Sequence, residues 1–109
     1  MSQLKTVDDA SFAQAVDRAS GLSVVDFSAG WCPPCRMIEP ALEQLAGEYA
    51  SRVEVMSLDV DANPATAARF GVRSLPTVLF FRDGAVVDRV VGAVPKSALR
   101  QRFEALSGG

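Results

Sequence analysis

The sequence predicts an α/β domain built on a single central mixed β-sheet with helices on both faces. Three observations carry that expectation. Apolar β-rich runs alternate with runs of helical spacing along the whole chain, and an Asp83-Gly84 dipeptide sits between the last two β-rich runs. The 109 residues, 49% of them apolar, suffice for one core and are too few for two. Residues 1–109 therefore read as one domain, with Ser107-Gly108-Gly109 as a loose tail.

The elements follow in order. Leu4 to Val7 forms a short extended segment, after which Phe12, Ala15, Val16 and Ala19 recur at helical spacing until Ser20-Gly21 stops them. Leu22-Ser23-Val24-Val25-Asp26-Phe27-Ser28 is mostly apolar and β-rich, as expected of a central parallel strand covered on both faces. From Pro33, the residues Ile38, Ala41, Leu42, Leu45 and Tyr49 mark one face of a long helix that Pro40 is able to kink. A third strand spans roughly Val53 to Val60. Asn63-Pro64 then supplies the cap and first turn of a short helix, which Gly71 ends. The runs 77–82 and 85–91 flank Asp83-Gly84 as an antiparallel hairpin. Leu99, Phe103 and Leu106 define a closing helix with Pro95 in its first turn.

The composition excludes several classes of function. A net charge of −2, spread without a basic run, offers no surface for nucleic acid or an anionic membrane. The start Met1-Ser2-Gln3-Leu4-Lys5-Thr6-Val7 lacks the apolar core and cleavage site of a secretory signal, and no later run approaches transmembrane length. A cytoplasmic protein is expected. Its two cysteines are three positions apart, so a bridge between them would close a tiny loop and constrain the unfolded chain little. In a reducing compartment such a pair reads as catalytic or metal-binding.

Disulfide exchange needs one thiolate to attack and a second thiol to resolve the mixed disulfide. Cys32-Pro33-Pro34-Cys35 follows the second β-rich run directly, at the carboxyl end of a strand, where open α/β sheets place their active crevice. With Cys32 as the cap, Pro33 and Pro34 fill the two helical positions whose amide hydrogens have no helical partner anyway. The N–H of Cys35 is then free to point back at the Cys32 sulfur, and the helix dipole adds to the stabilisation of a thiolate there. The competing reading is half of a zinc site. With two cysteines and no histidine an intrachain site would need unusual carboxylates, and a zinc or iron–sulfur site shared between two chains is a weaker alternative again. Asp26 is the oddest residue, a charge inside an apolar strand; it is either paired, facing an edge, or buried for a purpose.

The chain resembles the thioredoxin family from about Leu4 to Leu106. The matching pieces are Val25-Asp26-Phe27, Ala29, Trp31-Cys32 with Pro34-Cys35, Pro40, Asp59, Asn63-Pro64, Gly71-Val72-Arg73, Leu75-Pro76-Thr77, Asp83-Gly84 and Val91-Gly92. The resemblance implies the thioredoxin fold and a thiol–disulfide oxidoreductase that reduces protein disulfides. In that role Cys32 attacks, Cys35 resolves, and Asp26 exchanges a proton with Cys35. It further implies a client groove formed by Trp31, Pro33, Pro34, Leu75, Pro76 and Gly92, with a cis Leu75-Pro76 bond. No bound cofactor or metal is expected beyond the redox-active Cys32-Cys35 disulfide. The expected partners are a thioredoxin reductase and disulfide-bearing client proteins, and the expected state is a monomer. Four positions depart from the usual pattern: Pro33 for glycine, Ser28 for an aromatic, Ser57 for a lysine, and Ser74 for glycine. None removes an essential group. Two other readings compete: a disulfide-forming oxidase or isomerase, and a redox-independent subunit that clamps a partner through the same groove.

Overall fold

The computed structural model describes residues 4–108; the opening Met1-Ser2-Gln3 and the tail residue Gly109 lie outside it. Five strands form one sheet: β1 (Lys5–Thr6), β2 (Leu22–Ser28), β3 (Val53–Asp59), β4 (Thr77–Arg82) and β5 (Ala85–Val91), in the order β1-β3-β2-β4-β5. β1, β3 and β2 run parallel, whereas β4 is antiparallel to β2 and β5 to β4. The sheet is thus mixed, as its sequence implies. Three helices pack on it: α1 (Pro33–Glu48), α2 (Pro64–Arg69) and α3 (Lys96–Ser107).

Alternation along the strands divides the core in two. Val24, Val55, Val78 and Phe80 point to one face and pack with Ile38, Leu42 and Leu45 of α1 and Leu99 and Phe103 of α3. Val25, Phe27, Met56, Leu58, Leu79 and Phe81 point to the other, with Phe12, Val16 and Ala67. A strand buried on both faces needs a continuous apolar run, which is why β2 reads as one. The same parity sends Asp26 and Ser57 to the α1 face.

Three local expectations are corrected. The first helical segment is one π-helical turn over Ala13–Asp17, closed by the Arg18 N–H donating to the Ala13 carbonyl at 2.9 Å. Over a single turn, spacings of three and four do not discriminate a π turn from an α turn. Pro95 is the cap of α3 in an extended conformation, not a first-turn residue, because its fixed φ suits either place. Ser107 belongs to α3, its hydroxyl donating to the Phe103 carbonyl, and Gly108 closes the helix through its N–H on Glu104. Pro40 lies within an α1 that runs uninterrupted to Glu48.

Asn63 caps α2 by position only. Its side chain instead accepts from the Asp9 N–H and donates to the Asp59 carbonyl. The free N–H groups of Ala65 and Thr66 are taken by the Asp9 carboxylate, at 3.3 and 2.9 Å. The Thr66 hydroxyl, which donates to the same carboxylate at 2.6 Å, is the first cause and these backbone bonds the next in holding that carboxyl below the usual aspartate range.

Candidate active site

β2 delivers the chain to the site, and the loop Ala29–Trp31 turns it into α1. Cys32 occupies the cap position of α1 with Pro33 and Pro34 behind it, and its sulfur accepts the Cys35 N–H at 3.3 Å. The two cysteines form a disulfide with their Cα atoms 5.3 Å apart. Cys35 is 1% exposed and Cys32 3%, so of the pair Cys32 has the readier access to a partner. Around them pack Ala29, Val60 and Leu75.

In front of Cys32 lies a groove of about 350 Å³ lined by Trp31, Cys32, Pro33, Pro34, Val60, Val72, Arg73 and Leu75. Trp31 is 66% exposed, so it is no core aromatic. Its indole N–H donates to the Asp61 carboxylate at 2.7 Å, which fixes the ring at the groove wall. The Leu75-Pro76 peptide is cis, and the Pro76 carbonyl accepts the Gly92 N–H at 2.9 Å. Gly92 has φ +95°, a conformation that favours glycine, and joins the site through this bond without lining the groove.

Asp26 is wholly enclosed, and neither carboxyl oxygen meets a hydrogen-bond donor. Burial first, and the negative charge of Glu39 second, push its pKa up to about 7. Its ladder partners are Ser57 on β3 and Val78 on β4, neither of which carries a charge. Among the described residues no group of three or more His, Cys, Asp or Glu is arranged to hold a metal ion. Nor is any helix among them long and apolar enough to cross a membrane.

A family model described as thioredoxin matches residues 3–105. The chain is 49% identical over 98 residues to a thioredoxin of Staphylococcus saprophyticus, an alignment that covers 90% of this chain and 92% of that one. It is 46% identical over 104 residues to thioredoxin 1 of Synechococcus elongatus, covering 95% and 97% of the two chains. The chain belongs to the thioredoxin family. It is accordingly a thiol–disulfide oxidoreductase, with Cys32-Cys35 as the redox-active disulfide. Membership of the family implies disulfide-bearing client proteins and reductases as partners in general.

Of the residues picked out for the site, Cys32, Trp31, Pro33, Pro34 and Leu75 meet at the groove, with Cys35 behind Cys32. Pro76 is buried beside Leu75, and Asp26 lies under the sheet surface on the α1 face. The thioredoxin-family resemblance did not lead to Val60, Val72 and Arg73 as groove residues, to Asp61 as the partner of Trp31, or to Glu39 as the neighbour of Asp26. Val72 and Arg73 stood within a matching segment; the other contacts join residues from separate elements and leave no local mark.

Proposed function

We propose that the protein reduces disulfides of client proteins with Cys32 as nucleophile, Cys35 as resolving thiol and Asp26 as the proton partner of Cys35. The hydrogen bond from the Cys35 N–H to the Cys32 sulfur carries this reading. In the reduced protein that donor and the dipole of α1 favour a thiolate at Cys32 and leave Cys35 as the thiol. The Cys32 thiolate attacks a client sulfur; the client S–S bond breaks and a client thiolate departs. Cys35 then loses its proton to Asp26 and attacks Cys32, which frees the second client thiolate and restores the disulfide. The exposed Trp31 and the apolar side chains of Val60, Val72 and Leu75 give an extended client segment a surface to lie on, and Arg73 adds a positive charge at its edge.

On this reading a thioredoxin reductase returns the dithiol, no bound cofactor takes part, and the protein works as a monomer in the cytoplasm, where thiols are kept reduced. NADPH-coupled reduction of insulin with purified thioredoxin reductase tests it. Turnover is expected for the natural sequence and for neither Cys32→Ser nor Cys35→Ser. Absence of turnover with any thioredoxin reductase, alongside reduction of insulin by the chemically reduced protein, would reject the reductase and keep the client chemistry. Partner binding that survives replacement of both cysteines would instead favour a redox-independent clamp.

A further inference from the structure

The groove in front of Cys32 is apolar but for a single charge. Trp31, Pro33, Pro34, Val60, Val72 and Leu75 make up its walls beside the cysteine, and Arg73 is the one ionised residue among them. Arg73 is exposed. Among the described residues every other lysine and arginine except Arg18 engages a carboxylate, a backbone carbonyl or an aromatic ring. Arg18 follows the π turn of Ala13–Asp17 and does not line the groove. The fold therefore leaves one uncommitted guanidinium beside Cys32.

We propose that the groove selects client segments carrying a carboxylate close in sequence to the attacked cysteine, and that Arg73 is the residue that sets this preference. The proposal rests on the reading of the groove as the surface on which clients lie. In an extended segment the side chains two positions from the cysteine face the same way as its sulfur, about 7 Å along the strand. A groove of about 350 Å³ accommodates that separation, so Cys32 and Arg73 act on near neighbours of one client segment. A guanidinium also meets a carboxylate through two parallel N–H donors, which makes an acid the best-matched charge for this place.

The acids on either side of the lining residue Val60 are held elsewhere. Asp61 accepts the Trp31 indole N–H at 2.7 Å, and Asp59 accepts the Asp61 N–H at 2.9 Å. Neither pairs with Arg73. The chain as a whole carries a charge of −2, so its overall field disfavours an acidic client and any attraction must be local. Because Arg73 is exposed, the pair it forms changes rates by a few-fold rather than by orders of magnitude.

Short synthetic peptides, joined as homodimers through the disulfide of a central cysteine, test the preference. Each carries Glu, Gln or Lys two residues before the cysteine in one set and two residues after it in another. The chemically reduced protein is mixed with each, and the peptide thiols are followed by chromatography; each turnover oxidises Cys32 and Cys35 to their disulfide and releases two peptide thiols. In at least one set the Glu peptide is expected to react about threefold faster than the Gln peptide at low ionic strength, and the Lys peptide slower than both. Salt at about 1 M should bring the three rates together. Arg73→Gln should abolish the Glu-to-Gln ratio, Arg73→Glu should invert it, and Arg18→Gln should keep it. Because each ratio compares the same peptides across variants, intrinsic differences in their disulfides cancel. A ratio near one in both sets for the natural sequence overturns the preference and leaves the groove as the client surface. So does a ratio that Arg73 substitutions leave unaltered while slowing every peptide alike, which would place the charge of Arg73 on the reacting sulfurs, or one that Arg18→Gln removes equally. No reduction of any peptide by the reduced protein overturns the client reading itself.

Discussion

Ionising Asp26 inside the fold strips a carboxylate of water where no donor replaces it, so the carboxyl is held at about 7 rather than at the free value of 3.8. Linkage fixes the sign of the effect on stability. Below about pH 3, well under the free value of 3.8, the acid is protonated in both folded and unfolded chains and contributes nothing. As the pH rises from there toward 7 only the unfolded chain ionises, so the fold loses stability; above 7 the loss is constant. Asp26→Asn should therefore change little at about pH 3 and stabilise the protein above pH 7. The shift is worth at most about 4 kcal/mol, which is the upper bound on the gain above pH 7, since an unpartnered amide and the unpartnered neutral carboxyl are buried at similar cost. Urea unfolding at the two pH values checks this. The same substitution should slow disulfide exchange by removing the proton acceptor. A loss of stability, or an unaltered exchange rate, would make Asp26 an ordinary carboxylate. Ser57→Lys would set an ammonium across the ladder and bring the Asp26 midpoint back toward 3.8, which NMR titration would read. At the cysteines, only Cys32 accepts the amide bond at the start of α1, so in the reduced protein it should be the first to alkylate near neutral pH. Cys35→Ser should accumulate mixed disulfides with clients, visible on non-reducing gels. Preferential labelling of Cys35 would reverse the two roles.

Each element is set by signals of different reach, and that decides which of them could be read from the sequence. β2 and the start of α1 were legible because the apolar run, the cap and the two prolines act within a few residues of one another. The strangeness of Asp26 was legible for the same reason: it is a charge among apolar neighbours. Glu39 and Asp61 were not, since each matters only through a residue on another element, Asp26 and Trp31 respectively. The true cap of α2 is Asp9, more than fifty positions away, and Asn63 had the better local credentials. The π turn at Ala13–Asp17 was hidden because one turn is too short for its period to declare itself. The β4–β5 hairpin, by contrast, was plain in Asp83-Gly84. Both residues have positive φ, at +51° and +84°, as a tight two-residue hairpin demands. At Gly84 a second constraint applies, because an added Cβ would collide with the Asp17 carbonyl, which is backbone and cannot swing aside. Gly84→Ala is accordingly expected to cost about 2 kcal/mol or more, from left-handed strain and the collision together. Thermal unfolding measures it, and a cost under about 0.5 kcal/mol would mean that the hairpin and the π turn move apart freely.

For the molecule as a whole, the redox chemistry is mounted at the end of the strand with most support. β2 pairs with β3 along its full length and with β4 over six residues, and its first six residues are buried. Both cores press on it, one through Val24 and the other through Val25 and Phe27. β1 is the opposite case, a two-residue edge strand exposed at both positions and paired on one side only. Opening β2 requires taking both cores apart, whereas opening β1 exposes little apolar surface. Amide hydrogen exchange should therefore divide along these lines. The N–H groups of Val24, Val25 and Phe27 are expected to exchange only through global unfolding, with a denaturant dependence that matches the equilibrium transition. Those of Lys5 and Thr6 should exchange at least about tenfold faster through local opening that denaturant scarcely affects. Because the groove side chains lie on loops beyond this strand while Asp26 lies within it, reducing the disulfide should raise exchange at Gly30 and Trp31 and leave the β2 amides unchanged. Exchange at Val24 and Val25 as fast as at Thr6, or a β2 that loosens with reduction, would show that the sheet is not the rigid mount these contacts describe.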